Sequence, residues 1–349
     1  MKAAYLVDKR KIEVSETAIP EIKENEMLLK IKATAICGTD LRIFKFGHFK
    51  IPDGEKRVLG HEIAGEIAET GSNVRYFTKG MRVVVAPNIG CGTCPMCIKG
   101  LNQLCPNYEA FGISLDGGFQ EYMFIPAAAI ERGNVIPVPD NLSYEEAALT
   151  EPFSCTYNSY AALETVPGDT VLIIGAGPIG ACHVMINKMA GARKIMVADI
   201  VADRLEQVRQ FGADVLIDSS KESLKERVLA ETDGFGADVV ITANSVPEMQ
   251  SDALELAAPS GRINLFGGMP KGKEIVPLNT NLIHYKELKV LATTGSSVSD
   301  FYQSLLIVAS GKVELGRLAT ARFMLDDIHD AFDYAMNGKG MKALIVSES

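Results

Sequence analysis

The chain has 349 residues, 47% of them hydrophobic, and a formal net charge of −9. That length suggests two domains with substantial cores, and the acidic balance argues against a nucleic-acid backbone as partner. The longest apolar stretch, residues 171–186, contains Gly175, Gly177, Pro178 and Gly180, the pattern of a strand turning into a helix and not of a membrane span.

Taken in chain order, residues 1–14 read as a short strand, a charged turn and a second strand. They lack the apolar run of a signal peptide, so a cytoplasmic protein is expected. Residues 1 to about 150 read mostly as short strands and turns, with β-rich segments at 30–35, 63–69, 82–86 and 120–125. From about 170 the pattern changes to strands alternating with helix-length segments. The strands fall at 171–174, 194–199, 214–217, 238–242, 262–266 and 288–293. Six such strands fit a parallel sheet wound on both sides. The tail reads as a helix at 300–309, a second near 328–336 and a strand at 342–346. It has no core of its own, so it is expected to return to the first domain. The expected division is therefore 1–150, 151–295 and 296–349.

Four of the seven cysteines, Cys91, Cys94, Cys97 and Cys105, follow the spacing C-x2-C-x2-C-x7-C. Cysteines on tight turns can point their sulfurs at one centre, and thiolate is a preferred zinc ligand. Disulfides fit poorly, because the first three cysteines are crowded and nothing marks secretion. An iron–sulfur cluster is the sharper rival, since Pro106 follows Cys105 as in a ferredoxin run. The last gap is seven residues instead of three, however, and no second set of four cysteines exists.

The segment from Val171 carries Gly175-Ala-Gly177-Pro178-Ile179-Gly180 directly between an apolar strand and a helix. Gly175 permits the tight turn, Gly177 lets backbone approach a pyrophosphate, and Gly180 lets helix pack on strand. The helix N-terminus then offers unpaired N–H groups to the phosphates, beside Pro178 and Ile179. Asp199 ends the next strand, where a carboxylate accepts hydrogen bonds from the ribose hydroxyls of NAD and repels the 2′-phosphate of NADP. Arg204 lies close enough in sequence to compensate.

Three further segments hold polar residues in apolar or glycine-rich company: Cys37-Gly-Thr39-Asp40, Gly60-His61-Glu62 and Thr150-Glu151-Pro152. Thiolate, imidazole and carboxylate can all bind zinc, and a catalytic zinc takes about three protein ligands and an open position. Singly, each is ambiguous. Cys37 also suits a small buried hydrophobe, and His61 a satisfied core histidine.

Together, and in this order with Asp116-Gly-Gly-Phe119 and the glycine motif, these segments resemble the zinc-dependent medium-chain dehydrogenases, nearest the sorbitol (polyol) and threonine dehydrogenase branch. The resemblance covers essentially the whole chain. It implies an α/β protein: a GroES-like, β-rich catalytic domain with an inserted Rossmann doubly wound parallel sheet, and an active site in the cleft between them. The zinc lobe would span about 88–108. By the same resemblance, Cys37 and His61 are the constant catalytic-zinc ligands. Glu62 can coordinate directly, and Glu151 directly or through water. Cys91, Cys94, Cys97 and Cys105 hold a structural zinc, giving two zincs per chain. Thr39 relays the substrate proton, and Asp40 orients the histidine. A homo-oligomer is implied, a tetramer in preference to a dimer.

One position departs from the family. Arg42 stands where a proton-accepting histidine often does, and arginine stays protonated. The proton then leaves through water near Glu151, or His48 substitutes. Cys155 and the histidines at 183, 284 and 329 read as structural. The implied reaction moves hydride from a small-molecule secondary alcohol, foremost a polyol or sugar alcohol, to NAD. L-Threonine or a simple alcohol is the alternative substrate. A zinc-stabilised nucleotide-binding module without turnover is the alternative class.

Overall fold

The computed structural model describes residues 1–347, which form two compact units. One unit comprises Met1–Ser154 and the chain from Ser296 onward; the other is Cys155–Gly295. The inserted unit is thus continuous in sequence, whereas the outer unit is built from both ends of the chain. Among the described residues no helix is long and apolar enough to cross a membrane.

The outer unit is centred on the strand Met27–Ala35. Its burial pattern is nearly continuous, as expected for a central strand covered on both faces. Glu62–Thr70 pairs antiparallel along its length, with Ala35 opposite Glu62. On the other edge Lys342–Val346 pairs antiparallel, with Leu344 opposite Ala35. The tail strand therefore lies beside the end of the strand that leads into Cys37. Ala319–Phe323 adds parallel to it, and Arg82–Val85 and Val135–Pro137 extend the opposite side. A separate antiparallel sheet joins Lys2–Asp8 to Lys11–Glu16 and Arg57–Val58.

Two apolar clusters support these sheets. One packs Ile43, Phe44, Phe119 and Phe332, with the Phe44 and Phe332 rings 5.2 Å apart. The other gathers Ile63, Ile67, Val83, Val85 and Phe111. Each such side chain, fully buried, contributes roughly 1.5–3 kcal/mol. The two clusters include Ile36, Leu59 and Ile63, close in sequence to Cys37 and His61.

Strand and turn are not the whole of this unit. A helix, Gly38–Phe46, follows Cys37 immediately, and Tyr144–Ala148 and Thr150–Leu163 are also helical. The first is short and places Arg42 and Lys45 beside Ile43 and Phe44, which hides its apolar face in the sequence.

The inserted unit holds six parallel strands in the order Val215–Asp218, Lys194–Asp199, Thr170–Ile174, Ala237–Thr242, Ala257–Asn264, Lys289–Leu291. Numbered along the chain this is 3-2-1-4-5-6, the doubly wound order of dinucleotide-binding sheets. The fifth strand starts earlier than its apolar run suggests. A register shift between Ala237 and Val239 accommodates the extra residues around Ser260 and Gly261. Its core is Leu172, Ile174, Met196, Ala198, Val240 and Ile263.

Candidate metal centres and dinucleotide site

Cys37 ends the central strand's segment and serves as N-cap of Gly38–Phe46. Its N–H donates to Asp40 Oδ2 at 2.8 Å. The other oxygen of Asp40 accepts the Gly60 N–H at 3.1 Å and lies 3.3 Å from His61 Nδ1. One fully buried carboxylate therefore ties the Cys37 turn to the His61 turn. Gly60 makes that turn at φ +90°, and a Cβ there would meet Thr34 and Phe119 at 2.9–3.0 Å.

Cys37, His61 and Glu62 are brought together, each offering a ligand atom within 4.8 Å of the others. Asp40 at Nδ1 leaves Nε2 of His61 as the metal-facing nitrogen. Glu62 is fully buried. Its Oε1 accepts from Lys342 Nζ, while Oε2 has no hydrogen-bond partner among the described residues. A buried carboxylate oxygen left bare is costly, and a cation between Cys37, His61 and Glu62 would satisfy it. Thiolate, imidazole and carboxylate are a zinc donor set, so the residues fit the metal.

Burial opposes charge on His61, but Asp40 and Cys37 outweigh it and hold its pKa well above the ordinary value. Glu151, in the first turn of Thr150–Leu163, lies outside the three-residue group. Burial pushes its carboxyl up to about 7, with the neighbouring Glu62 adding to the effect and His61 opposing it. Its carbonyl accepts from Ser154 Oγ at 2.6 Å. Thr39 is half-buried at the second position of the helix after Cys37, and Arg42 is exposed on the same helix. His48 is half-buried, accepts the Lys50 N–H at Nδ1 (3.2 Å) and stacks on Phe49. Burial, helped by Arg42 and Lys50, lowers its pKa.

Lys342 is the residue the sequence reading missed. It is a lone lysine opening the apolar strand Lys342–Val346, and nothing local distinguishes it from an edge-strand charge. Burial disfavours its ammonium, yet Glu62 and Cys37 outweigh burial and raise its pKa.

The second candidate metal centre falls in the chain between the short strands Asn88–Ile89 and Glu109–Ala110, which pair with each other. The sulfurs of Cys91, Cys94, Cys97 and Cys105 all lie within 4.8 Å of one another. Zinc–sulfur bonds of about 2.3 Å place tetrahedral sulfurs at about this separation. A multi-iron cluster needs its cysteines further apart, so the geometry suits a single ion. Backbone N–H groups of Cys91, Cys94 and Cys97 donate to Sγ of Cys105, Cys91 and Cys94 at 3.2–3.4 Å. Hydrogen bonds from Thr93 pull the Cys91 thiol down to about 6. Gly90 is required here, since a Cβ would stand 2.6 Å from Cys97 Sγ.

In the inserted unit, Gly175 turns the chain at φ +122°, with its would-be Cβ 2.7 Å from Ala243 O. A Cβ on Gly180 would be 2.0 Å from Gly175 O, whereas one on Gly177 meets nothing within 4 Å. Gly177 caps the helix Pro178–Met189, and Ile179 follows in its first turn. The open space over Gly177 is what a pyrophosphate needs. Asp199 accepts the Ala176 N–H at 2.8 Å and the Val201 N–H at 3.0 Å. Its carboxylate is thereby fixed beside the glycine turn. Arg204 is exposed on the helix Ala202–Arg209.

The chain matches known proteins along nearly its whole length. The profile of the alcohol dehydrogenase GroES-like domain matches residues 23–140, and that of the zinc-binding dehydrogenases matches residues 178–310. An L-threonine 3-dehydrogenase of Rhizobium etli is 33% identical over 95% of this chain and 94% of its own. A sorbitol dehydrogenase of Bacillus subtilis is 34% identical over 97% and 94%. A solved Sinorhizobium meliloti chain, described as a zinc-binding dehydrogenase bound to NADP, superposes with a TM-score of 0.91 at 31% identity, covering 99% of each chain. The architecture implied by the resemblance, a GroES-like part with an inserted Rossmann-type parallel sheet, is the one found. This chain belongs to the zinc-dependent medium-chain dehydrogenases and is an alcohol-type dehydrogenase.

Proposed function

We propose that the protein oxidises a secondary alcohol, foremost a polyol or sugar alcohol, to a ketone with NAD as hydride acceptor and two zinc ions per chain. The observation that carries this reading is the gathering of Cys37, His61 and Glu62 within 4.8 Å, with Glu62 Oε2 left bare. Zinc bound there would supply Lewis acidity toward the substrate oxygen. Asp40 orients His61 and fixes the Cys37 turn. Thr39 passes the hydroxyl proton outward, and Glu151, with a carboxyl pushed up to about 7, is suited to exchange a proton near neutrality. The four reduced cysteines of the lobe suit a cytoplasmic, reducing compartment. A homo-oligomer, a tetramer in preference to a dimer, is part of the same reading.

NAD is favoured over NADP because both Asp199 oxygens are held by backbone N–H groups, which keeps a negative charge where a 2′-phosphate would sit. The NADP-bound relative makes this a point for direct comparison. L-Threonine is the second reading for the substrate. It is favoured by the activity named for the Rhizobium relative and by the cationic Arg42, Lys45 and Lys50 on and after the helix following Cys37, which suit a substrate carboxylate.

The test is metal content per chain by elemental analysis, followed by initial rates with polyols, L-threonine and simple alcohols, each with NAD and NADP. Two zincs and fastest turnover of a polyol with NAD support the proposal. One zinc without turnover of any alcohol returns the nucleotide-binding module. Fastest turnover of L-threonine replaces the substrate assignment and leaves the metal assignment standing.

A further inference from the structure

The strand Lys342–Val346 carries a lysine into the buried ligand cluster of the outer unit. Lys342 is 5% exposed and Glu62 0%. The Lys342 ammonium donates to Glu62 Oε1 and, at 3.2 Å, to the carbonyl of Ile36, the residue before Cys37. Its own backbone is held by Thr320: the Lys342 N–H donates to Thr320 Oγ1, and that hydroxyl lies 3.2 Å from the Lys342 carbonyl oxygen. One residue on, the Ala343 carbonyl accepts the Ile36 N–H at 2.9 Å. The strand thus fixes the approach to one ligand residue and one oxygen of another. The second oxygen, Glu62 Oε2, is buried and has no partner among the described residues.

We propose that Lys342 is a positioning residue, the resident counterion of Glu62, which holds Oε1, keeps the ligand set charge-matched while the metal is absent, and leaves Oε2 for the metal. The inference rests on the zinc reading above. A buried carboxylate that loses its hydrogen-bonded cation is strongly destabilising. With Lys342 replaced by an uncharged residue, Glu62 loses the ammonium bonded to Oε1, while Oε2, whenever the site is empty, has no hydrogen-bond partner among the described residues. A bound dication supplies the missing charge, so the same replacement costs less in the loaded protein. A lysine serving only to order its strand would cost the same in both states.

The experiment is thermal melting of the full chain, metal-stripped and zinc-reloaded, as wild type, Lys342→Met and Lys342→Arg, with zinc counted in each. Stripped Lys342→Met is expected to melt roughly 10 °C below stripped wild type. In the reloaded proteins the gap shrinks to less than about half of that, and Lys342→Arg stays near wild type in both. Lys342→Met protein that accumulates only with zinc supports the proposal equally. Equal gaps with and without zinc overturn it. Where Lys342→Met fails to accumulate in either state, the pair Lys342→Met/Glu62→Gln decides. Recovery of the fold supports a counterion role, and failure to recover overturns it. Wild type that takes up only the lobe's zinc overturns the catalytic-zinc reading itself, an outcome distinct from equal gaps in a protein that binds two.

Discussion

Asp40 accepts N–H groups from both turns that present candidate metal ligands, Cys37 at 2.8 Å and Gly60 at 3.1 Å. An asparagine can accept only one of them, leaving a buried donor unpaired at a cost of about 1–3 kcal/mol. Asp40→Asn should lower zinc affinity or turnover roughly 10–100-fold, read by chelator competition and by kcat. Changes to Cys37 and Glu151 go further. Cys37→Ser and Glu151→Gln should lose more than about 100-fold in turnover, beyond the range of outer partners, while NAD still binds by fluorescence titration. Normal turnover from Cys37→Ser without zinc at that site would sink the assignment. His183 tests a different property. It is fully buried, neither ring nitrogen has a partner among the described residues, and burial lowers its pKa to about 3. The unfolded chain takes up that proton near 6.5, and the folded one only near 3. Stability from this residue is whole above about pH 6.5, declines by about 1.4 kcal/mol per pH unit below it, and is exhausted below about pH 3. His183→Met should flatten the acid limb of a stability–pH curve measured in urea; an unchanged limb would refute the burial argument.

At the scale of elements, the glycine turn separates two kinds of constraint. Gly180→Ala forces a Cβ to within 2.0 Å of Gly175 O, so both melting temperature and NAD affinity should fall. Gly177→Ala meets nothing within 4 Å, so the fold should be untouched while NAD binding weakens at least tenfold. Calorimetry on the two variants distinguishes them. The glycine turn was legible in the sequence because everything it needs lies within a single strand-to-helix junction. The cysteine lobe was legible for the same reason: three of its ligands fall within seven residues. The helix Gly38–Phe46 was not, because its nine residues mix Arg42 and Lys45 with Ile43 and Phe44 and show no clean period. The joint role of Asp40 was half legible. Its place near His61 came with the family resemblance, but its grip on the Gly60 N–H exists only once strands Met27–Ala35 and Glu62–Thr70 are in register. Lys342 was invisible, because its partner Glu62 lies 280 residues away.

For the molecule as a whole, the two candidate metal centres should respond differently to acid. A proton held well above the ordinary value on His61 competes directly with metal. Zinc at Cys37, His61 and Glu62 should therefore be lost first as pH falls below neutrality. In the lobe the thiols divide, Cys91 pulled down to about 6 and Cys97 pushed up by burial to about 11, so it is the number of sulfur donors, four against three mixed ligands, that keeps the lobe's ion longer. Stepwise acidification with a zinc-sensitive dye should release one equivalent before the other; simultaneous release would argue against independent sites.

The outer unit draws its central pairing from opposite ends of the chain, with Leu344 set against Ala35 and Lys342 against Glu62. During synthesis from the N-terminus, Cys155–Gly295 can collapse as soon as it emerges, because its contacts lie within itself. Residues Met1–Ser154 must meanwhile wait with an open sheet edge along Met27–Ala35 and without the Lys342 ammonium that bonds Glu62. A ribosome that stalls anywhere before residue 342 leaves a nascent protein whose inserted unit is whole but whose outer unit lacks the strand Lys342–Val346. Such a product would offer that exposed edge as a template for pairing with other chains.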